Sequence, residues 1–297
     1  MKPATILIAV CMLLVSTDAI ARQRPVAIEG KDVAVFGQKM HYLEAGRGAP
    51  VIFLHGTGGE GARWMPQLEE LAADFRVIAV DHIGFGQSDK PLTQYHSGVF
   101  AEFVAGLMKA IGVPRASFVG QSTGAGVVLY LAVHYPALVD RIVLVNGGGF
   151  RAASAPPRQA PAAPNWHARQ IANAATLAES REYLEQLYYN DALVTAAAVE
   201  ANLILRLKSA YTISSAQLAG EKGLGGITEA QVRALKAPAL LLWGANDTMA
   251  TVASADRLHA AIAGSRKVLI DKAGHYPFLE HPAEFNAHVR EFLKSTT

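Results

Sequence analysis

The sequence predicts an α/β fold: a doubly wound, mostly parallel sheet of about eight strands, carrying one helical insertion. Three observations predict it. Short apolar runs recur at 51–54, 76–80, 117–119, 141–145, 239–243 and 267–270, and such runs suit parallel strands covered on both faces. Helical patterns separate them at 64–73, 99–111, 123–135, 253–263 and 282–294, which is the alternation of βαβ units. The alternation breaks once, from Phe150 to about Ala237, where the sequence offers no convincing strand.

Taken in chain order, residues 1–21 read as a secretory signal peptide. Lys2 supplies the basic start, Ala4–Val15 the apolar stretch and Ala19-Ile20-Ala21 a small-x-small cleavage site. The stretch is short of the roughly 20 apolar residues a membrane span needs. A retained anchor is the alternative. A lipoprotein site at Cys11 is disfavoured because Val10 precedes it where a small residue is expected. Cleavage after Ala21 would remove Cys11, the chain's one cysteine, leaving a protein suited to an oxidising compartment. The expectation is a secreted or periplasmic protein with no stable membrane insertion after cleavage.

In the mature chain, Val33–Phe36 and Lys39–Glu44 flank Gly37-Gln38 and predict a hairpin. These strands and the apolar runs assign 22–149 and 238–297 to the core. The segment 150–237 is read as a helical cap over the carboxyl edge of the sheet, where ligands bind in such folds. It opens with an Ala- and Pro-rich connector at 152–164, continues as helical stretches at 168–187, 191–207 and 211–219, and closes at Gly223-Leu224-Gly225-Gly226.

Composition narrows the function. The 297 residues are 51% hydrophobic and 18% charged, enough to bury a core and too apolar for a disordered chain. The 27 basic and 25 acidic side chains leave a net charge of +2, so no broad electropositive face for nucleic acid is expected. A single cysteine excludes a disulfide framework and a multi-thiolate zinc site. No metal or cofactor is implied, and the expected partner is a small molecule.

The sharpest local signal is Gly120-Gln121-Ser122-Thr123-Gly124, between a strand and a helix. A serine in a strained strand-to-helix turn needs small neighbours two residues away on each side, and its hydroxyl then projects into the cleft. Such a nucleophile needs a base. Gly274-His275-Tyr276-Pro277 follows the last strand, so His275 is favoured by position among 10 histidines. His134, His259 and His288 fall in helices and His281 at a helix start. The base needs an orienting acid, and Asp247 follows the strand 239–243 at the same sheet edge. Asp271 is the reserve. The other usual place for an acid, after the strand 141–145, holds Asn146 and three glycines.

His55-Gly56-Thr57-Gly58-Gly59 follows the strand 51–54 and frees backbone to approach a ligand. The backbone amides of Thr57 and Thr123 are the expected oxyanion donors. A phosphate loop is the competing reading of the glycine run, but no Lys-Ser/Thr follows it and no G-x-G-x-x-G is present. In Asp81-His82-Ile83-Gly84-Phe85-Gly86-Gln87-Ser88-Asp89, the two carboxylates are expected to bind backbone amides. Within the insertion, Trp166, Tyr183, Tyr188, Tyr189, Leu203 and Leu207 could line an apolar pocket or form the cap's own core. Arg206 is expected on the solvated surface rather than against a substrate carboxylate.

HGTGG, DHIGFGQSD, GQSTG, WGANDTM and AGHYPFLEHP, in this order, resemble the α/β-hydrolase fold superfamily over roughly residues 30–295. The resemblance implies Ser122 as nucleophile, Asp247 as acid, His275 as base, and Thr57 and Thr123 as oxyanion residues. A serine at the elbow argues against the dehalogenases and epoxide hydrolases of this fold, which use aspartate. The insertion is similar to that of the meta-cleavage-product hydrolases, which split carbon–carbon bonds. This chain departs from them at Gly59-Glu60-Gly61, where they carry Gly-Pro-Gly, at Tyr276, where they often carry Trp, and at Thr123, where Met or Leu is usual. Those enzymes are also cytosolic. The departures lead to an expected exported serine hydrolase of a small hydrophobic carboxylic ester or lactone, with a carbon–carbon bond hydrolase as the alternative. A non-catalytic binding protein on the same fold is disfavoured because no triad residue is missing.

Overall fold

A computed structural model describes residues 27–93, 95–150, 176–208 and 226–295. The expected signal peptide with Cys11, the expected connector at 152–164, Trp166, the start of the helix expected from 168, the stretch 211–219 and Gly223–Gly225 lie outside the described residues.

The chain runs β1 (Glu29–Val35), β2 (Gln38–Ala45), β3 (Pro50–Leu54), α1 (Met65–Leu71), β4 (Arg76–Val80), α2 (Ser97–Ala110), β5 (Ala116–Gln121), α3 (Thr123–His134) and β6 (Val139–Val145). It continues with α4 (Leu177–Leu187), α5 (Ala196–Lys208), α6 (Glu229–Arg233), β7 (Ala239–Gly244), α7 (Val252–Ala261), β8 (Arg266–Ile270), α8 (Pro277–Glu280) and α9 (Pro282–Lys294). One eight-stranded sheet has the order β1-β2-β4-β3-β5-β6-β7-β8. From β4 to β8 neighbouring strands are parallel, while β1 and β2 pair antiparallel at one edge.

The apolar runs divide their side chains between two cores by the two-residue period of a strand. Ile52 and Leu54 enter the layer made with α2, α3, α6 and α7, whereas Val51 and Phe53 enter the layer made with α1 and α9. Every residue of β5 and β7 is buried. The active edge of the sheet is therefore carried on strands that cannot shift without opening a core.

Two local expectations are corrected. The hairpin turns at Phe36-Gly37, not Gly37-Gln38. Both turn residues have positive φ, 50° and 76°, as the tight hairpin geometry requires, and this leaves Gln38 free to begin β2. The first helix is also divided: a 3₁₀ turn at Gly61–Trp64 precedes α1, whose second residue is Pro66. A proline fits the first helical turn, where its missing N–H costs nothing.

Between β6 and β7 the main regular elements among the described residues are helices. Thr176 and Glu179 start α4 by satisfying each other's backbone N–H groups. The end of α4 meets the loops after β7 and β8: His275 N donates to Leu187 O at 2.7 Å, and Thr248 Oγ1 to Gln186 O at 3.1 Å.

Candidate active site

Ser122 lies between β5 and α3 with φ 54° and ψ −116°. A non-glycine residue there carries strain of about 1–3 kcal/mol and persists only when its surroundings fix it. They do. A Cβ on Gly120 would stand 2.4 Å from Gly124 O, and one on Gly124 would stand 2.2 Å from Leu54 O. Gly147 closes the other side, where a Cβ would come within 2.3 Å of Ser122 Cα. Ser122 N donates to Val145 O at 2.9 Å, tying the turn to the end of β6.

His275 and Asp247 arrive from the carboxyl ends of β8 and β7. Both are buried, and Nδ1 of His275 lies 2.8 Å from Oδ2 of Asp247. Burial opposes the charge on Asp247. The His275 contact, the Asn146 amide and the Ala250 N–H outweigh it and hold the carboxyl below its usual range. Its other oxygen accepts from Met249 N and Ala250 N at 2.8 and 3.0 Å. A carboxylate so held fixes Nδ1 of His275 as the donor and leaves Nε2 to take a proton. Gln121, the residue before Ser122, donates from Nε2 to His275 O at 3.2 Å, joining the elbow to the histidine loop.

The loop after β3 reaches the same place. The hydroxyls of Thr57 and Thr123 share a hydrogen bond, and a Cβ on Gly56 would stand 3.0 Å from Ser122 Cβ. His55 is buried with Nδ1 against Gly56 O at 2.7 Å, while Nε2 accepts from His82 N at 3.1 Å. These partners require the neutral Nδ1–H tautomer. Burial, then the neighbouring His82, depresses the His55 pKa well below the usual range and keeps it so. Asp81 accepts from Gly61 N at 2.6 Å and Gln87 N at 2.7 Å, and Asp89 from Lys39 N at 2.7 Å. Both therefore bind backbone, as the sequence led us to expect.

Other expected residues fall elsewhere. Asp271 is exposed. His134 and His259 are on the surface, the former against Tyr130 and the latter bonded to Ser265; His288 stands 3.9 Å from Glu284. Tyr189 and Leu207 are 48% and 69% exposed, so neither lines an interior pocket. Tyr183 is buried and Tyr188 and Leu203 are partly so. Arg206 corrects the expectation of a solvated side chain. It is 4% exposed, with its guanidinium 3.9 Å from the Tyr183 ring centroid. It sits on the inner face of α5 with Val199, Asn202 and Leu205, a position the helix period could have indicated.

Four residues that the sequence reading passed over support the site. Asn146, after β6, donates to Asp247 at 2.6 Å. Gln121 holds the histidine loop. Arg63 donates to the Tyr276 hydroxyl at 2.9 Å and lies 5.0 Å from that ring's centroid. Glu280 accepts from Gly274 N at 2.7 Å. Only Asn146 had a local signal, its place at the end of a core strand.

A family model described as the alpha/beta hydrolase fold matches residues 49–282. The chain belongs to the α/β-hydrolase fold family. Within it, the chain is 28% identical to the 2-hydroxymuconate semialdehyde hydrolase of Pseudomonas sp. strain CF600, over 89% of this chain and 93% of the relative. Among solved α/β-hydrolases, it resembles the 2-hydroxy-6-oxo-6-phenylhexa-2,4-dienoate hydrolase of Rhodococcus sp. strain RHA1, with TM-score 0.78 and 26% identity, covering 91% of this chain and 100% of that one. It also resembles a bacterial membrane phospholipase A, with TM-score 0.76 and 25% identity, covering 90% and 86%. The chain is thus a hydrolase of this fold, similar to a semialdehyde hydrolase, a dienoate hydrolase and a phospholipase.

Proposed function

We propose that the protein is a serine hydrolase that cleaves a carbon–carbon bond beside a ketone in a carboxylate-bearing dienoate, through an acyl-enzyme on Ser122. His275 takes the Ser122 proton as Oγ attacks the ketone, and Asp247 orients and steadies the imidazolium. The backbone N–H groups of Thr57 and Thr123 receive the developing oxyanion. Cleavage needs the keto tautomer of the dienoate, with the proton of the 2-hydroxyl moved to the carbon beside the ketone; that carbon then leaves as a carbanion conjugated with the 2-oxo group and takes the proton back from His275. Water then hydrolyses the acyl-enzyme.

The observation that carries the choice of substrate is the pair of arginines beside the histidine loop. Arg63, half-buried, donates to the Tyr276 hydroxyl beside His275, and Arg206, 4% exposed, stacks on the ring of Tyr183. One buried and one half-buried guanidinium suit an acidic substrate better than a neutral ester. The dienoate hydrolases among the relatives support the same reading, and it displaces the ester reading drawn from sequence. An ester or lactone remains the second reading, favoured by Tyr276 and by Gly59-Glu60-Gly61, the departures from the carbon–carbon hydrolases. Export with cleavage after Ala21 belongs to the proposal and rests on the N-terminal sequence.

The test is turnover of a 2-hydroxy-6-oxo-dienoate, followed by loss of its visible absorbance, beside p-nitrophenyl esters and lactones of matching size. The proposal expects the dienoate to be preferred by kcat/KM and Ser122→Ala to be inactive. Preference for the neutral esters would select the second reading.

A further inference from the structure

We propose that Glu280 is a positioning residue that locks the His275 loop to the end of α4, so that seating of the cap and alignment of the imidazole are a single event. This rests on the reading of Ser122, His275 and Asp247 given above.

The carboxylate of Glu280 divides its oxygens between two parts of the chain. Oε1 accepts from Gly274 N, next to His275, at 2.7 Å. Oε2 accepts from Tyr189 N at 2.8 Å and Asn190 N at 3.0 Å, just past the end of α4. Two further bonds cross the same seam: His275 N to Leu187 O, and Thr248 Oγ1, beside Asp247, to Gln186 O. There is no slack in it, because a Cβ on Gly274 would stand 2.4 Å from Leu187 O. The last turn of α4 is thus pinned to both loops that deliver the base and the acid. Glu280 is itself held by its own N–H on Tyr276 O at 3.0 Å.

The chemistry of the seam explains why it takes a carboxylate. All the partners are N–H donors, and an ionised carboxyl offers acceptors at both ends. Glutamine can present its oxygen to one side only, and its NH₂ then faces an N–H on the other. One arm is lost with almost no change in volume. The imidazole loop and the cap are then held by fewer bonds, and small misplacements of a reacting group are costly.

The experiment follows phosphonylation of Ser122 in the full-length protein by a compact ethyl fluorophosphonate and by a long-chain alkyl fluorophosphonate, using wild type, Glu280→Gln and Ser122→Ala. For the compact probe, Glu280→Gln should lower the maximal labelling rate about tenfold with little change in half-saturation. For the long-chain probe, the same fall should be joined by a severalfold rise in half-saturation, because the cap no longer seats. Glu280→Asp keeps the charge but loses reach, and should fall between wild type and Glu280→Gln. Wild-type maximal rates in either soluble variant, even with a lowered Tm, overturn the proposal and show Glu280 to be structural only. Equal labelling of Ser122→Ala and wild type would instead overturn the serine reading, independently of Glu280.

Discussion

Asn146 and Asp247 are 101 residues apart in the chain, yet the Asn146 amide donates a 2.6 Å hydrogen bond to Oδ2 of Asp247. That oxygen is also the partner of His275 Nδ1. The amide cannot be turned around, because Asn146 Oδ1 accepts from Gly244 N at 3.1 Å. Asn146 also has φ 44°, a conformation asparagine tolerates better than most residues. The two roles separate by substitution. Asn146→Gly should keep the backbone and lose the hydrogen bond, lowering kcat about tenfold with a small change in Tm. Asn146→Ala should lose kcat similarly and Tm more. Equal kcat in wild type and Asn146→Gly would remove Asn146 from the site.

The elbow sets a steric demand that can be measured. A Cβ on Gly124 meets Leu54 O at 2.2 Å, and backbone cannot yield as a flexible side chain can. Gly124→Ala should lower Tm by at least about 5 °C and abolish labelling of Ser122. An unchanged Tm would mean that α3 does not need its close approach to β3.

The fold was legible because it is written in contiguous runs. Residues 51–54 and 239–243 are apolar throughout, since both faces of β3 and β7 are covered. The glycines at 120 and 124 were legible for a similar reason: their constraint is local. Gln121 and Glu280 were not, because each acts through a partner distant in the chain; Asn146 showed only its place at the end of a core strand. Arg206 was misjudged because charge was weighed ahead of its place on the inner face of α5. The turn at Phe36-Gly37 was missed because a bulky residue seldom adopts positive φ.

Acid should weaken the fold through its buried imidazoles. Burial lowers the His82 pKa to about 4, whereas the unfolded chain titrates this group near 6.5. Between those values the unfolded state binds the extra proton, so stability is full above about pH 6.5 and falls as pH drops toward 4. His82→Phe should make the decline of Tm from pH 7 to 4.5 shallower. It should not flatten it, because His55 is depressed in the same way. An unchanged slope would show that His82 ionises equally in both states.

Buried Arg206 makes a prediction about substrate. Arg206→Met keeps much of the side chain's bulk against Tyr183 and removes its charge. KM for a carboxylate-bearing dienoate should rise about tenfold or more, with KM for a neutral ester of the same size within about twofold. A parallel rise for both would assign Arg206 to packing of the cap.

The most direct test of the central claim is peptide mapping by mass spectrometry after treatment of the native protein with a fluorophosphonate. The predicted result is one adduct, on Ser122, absent from Ser122→Ala and greatly slowed in His275→Ala. Unmodified Ser122 in protein that still turns over substrate would contradict it.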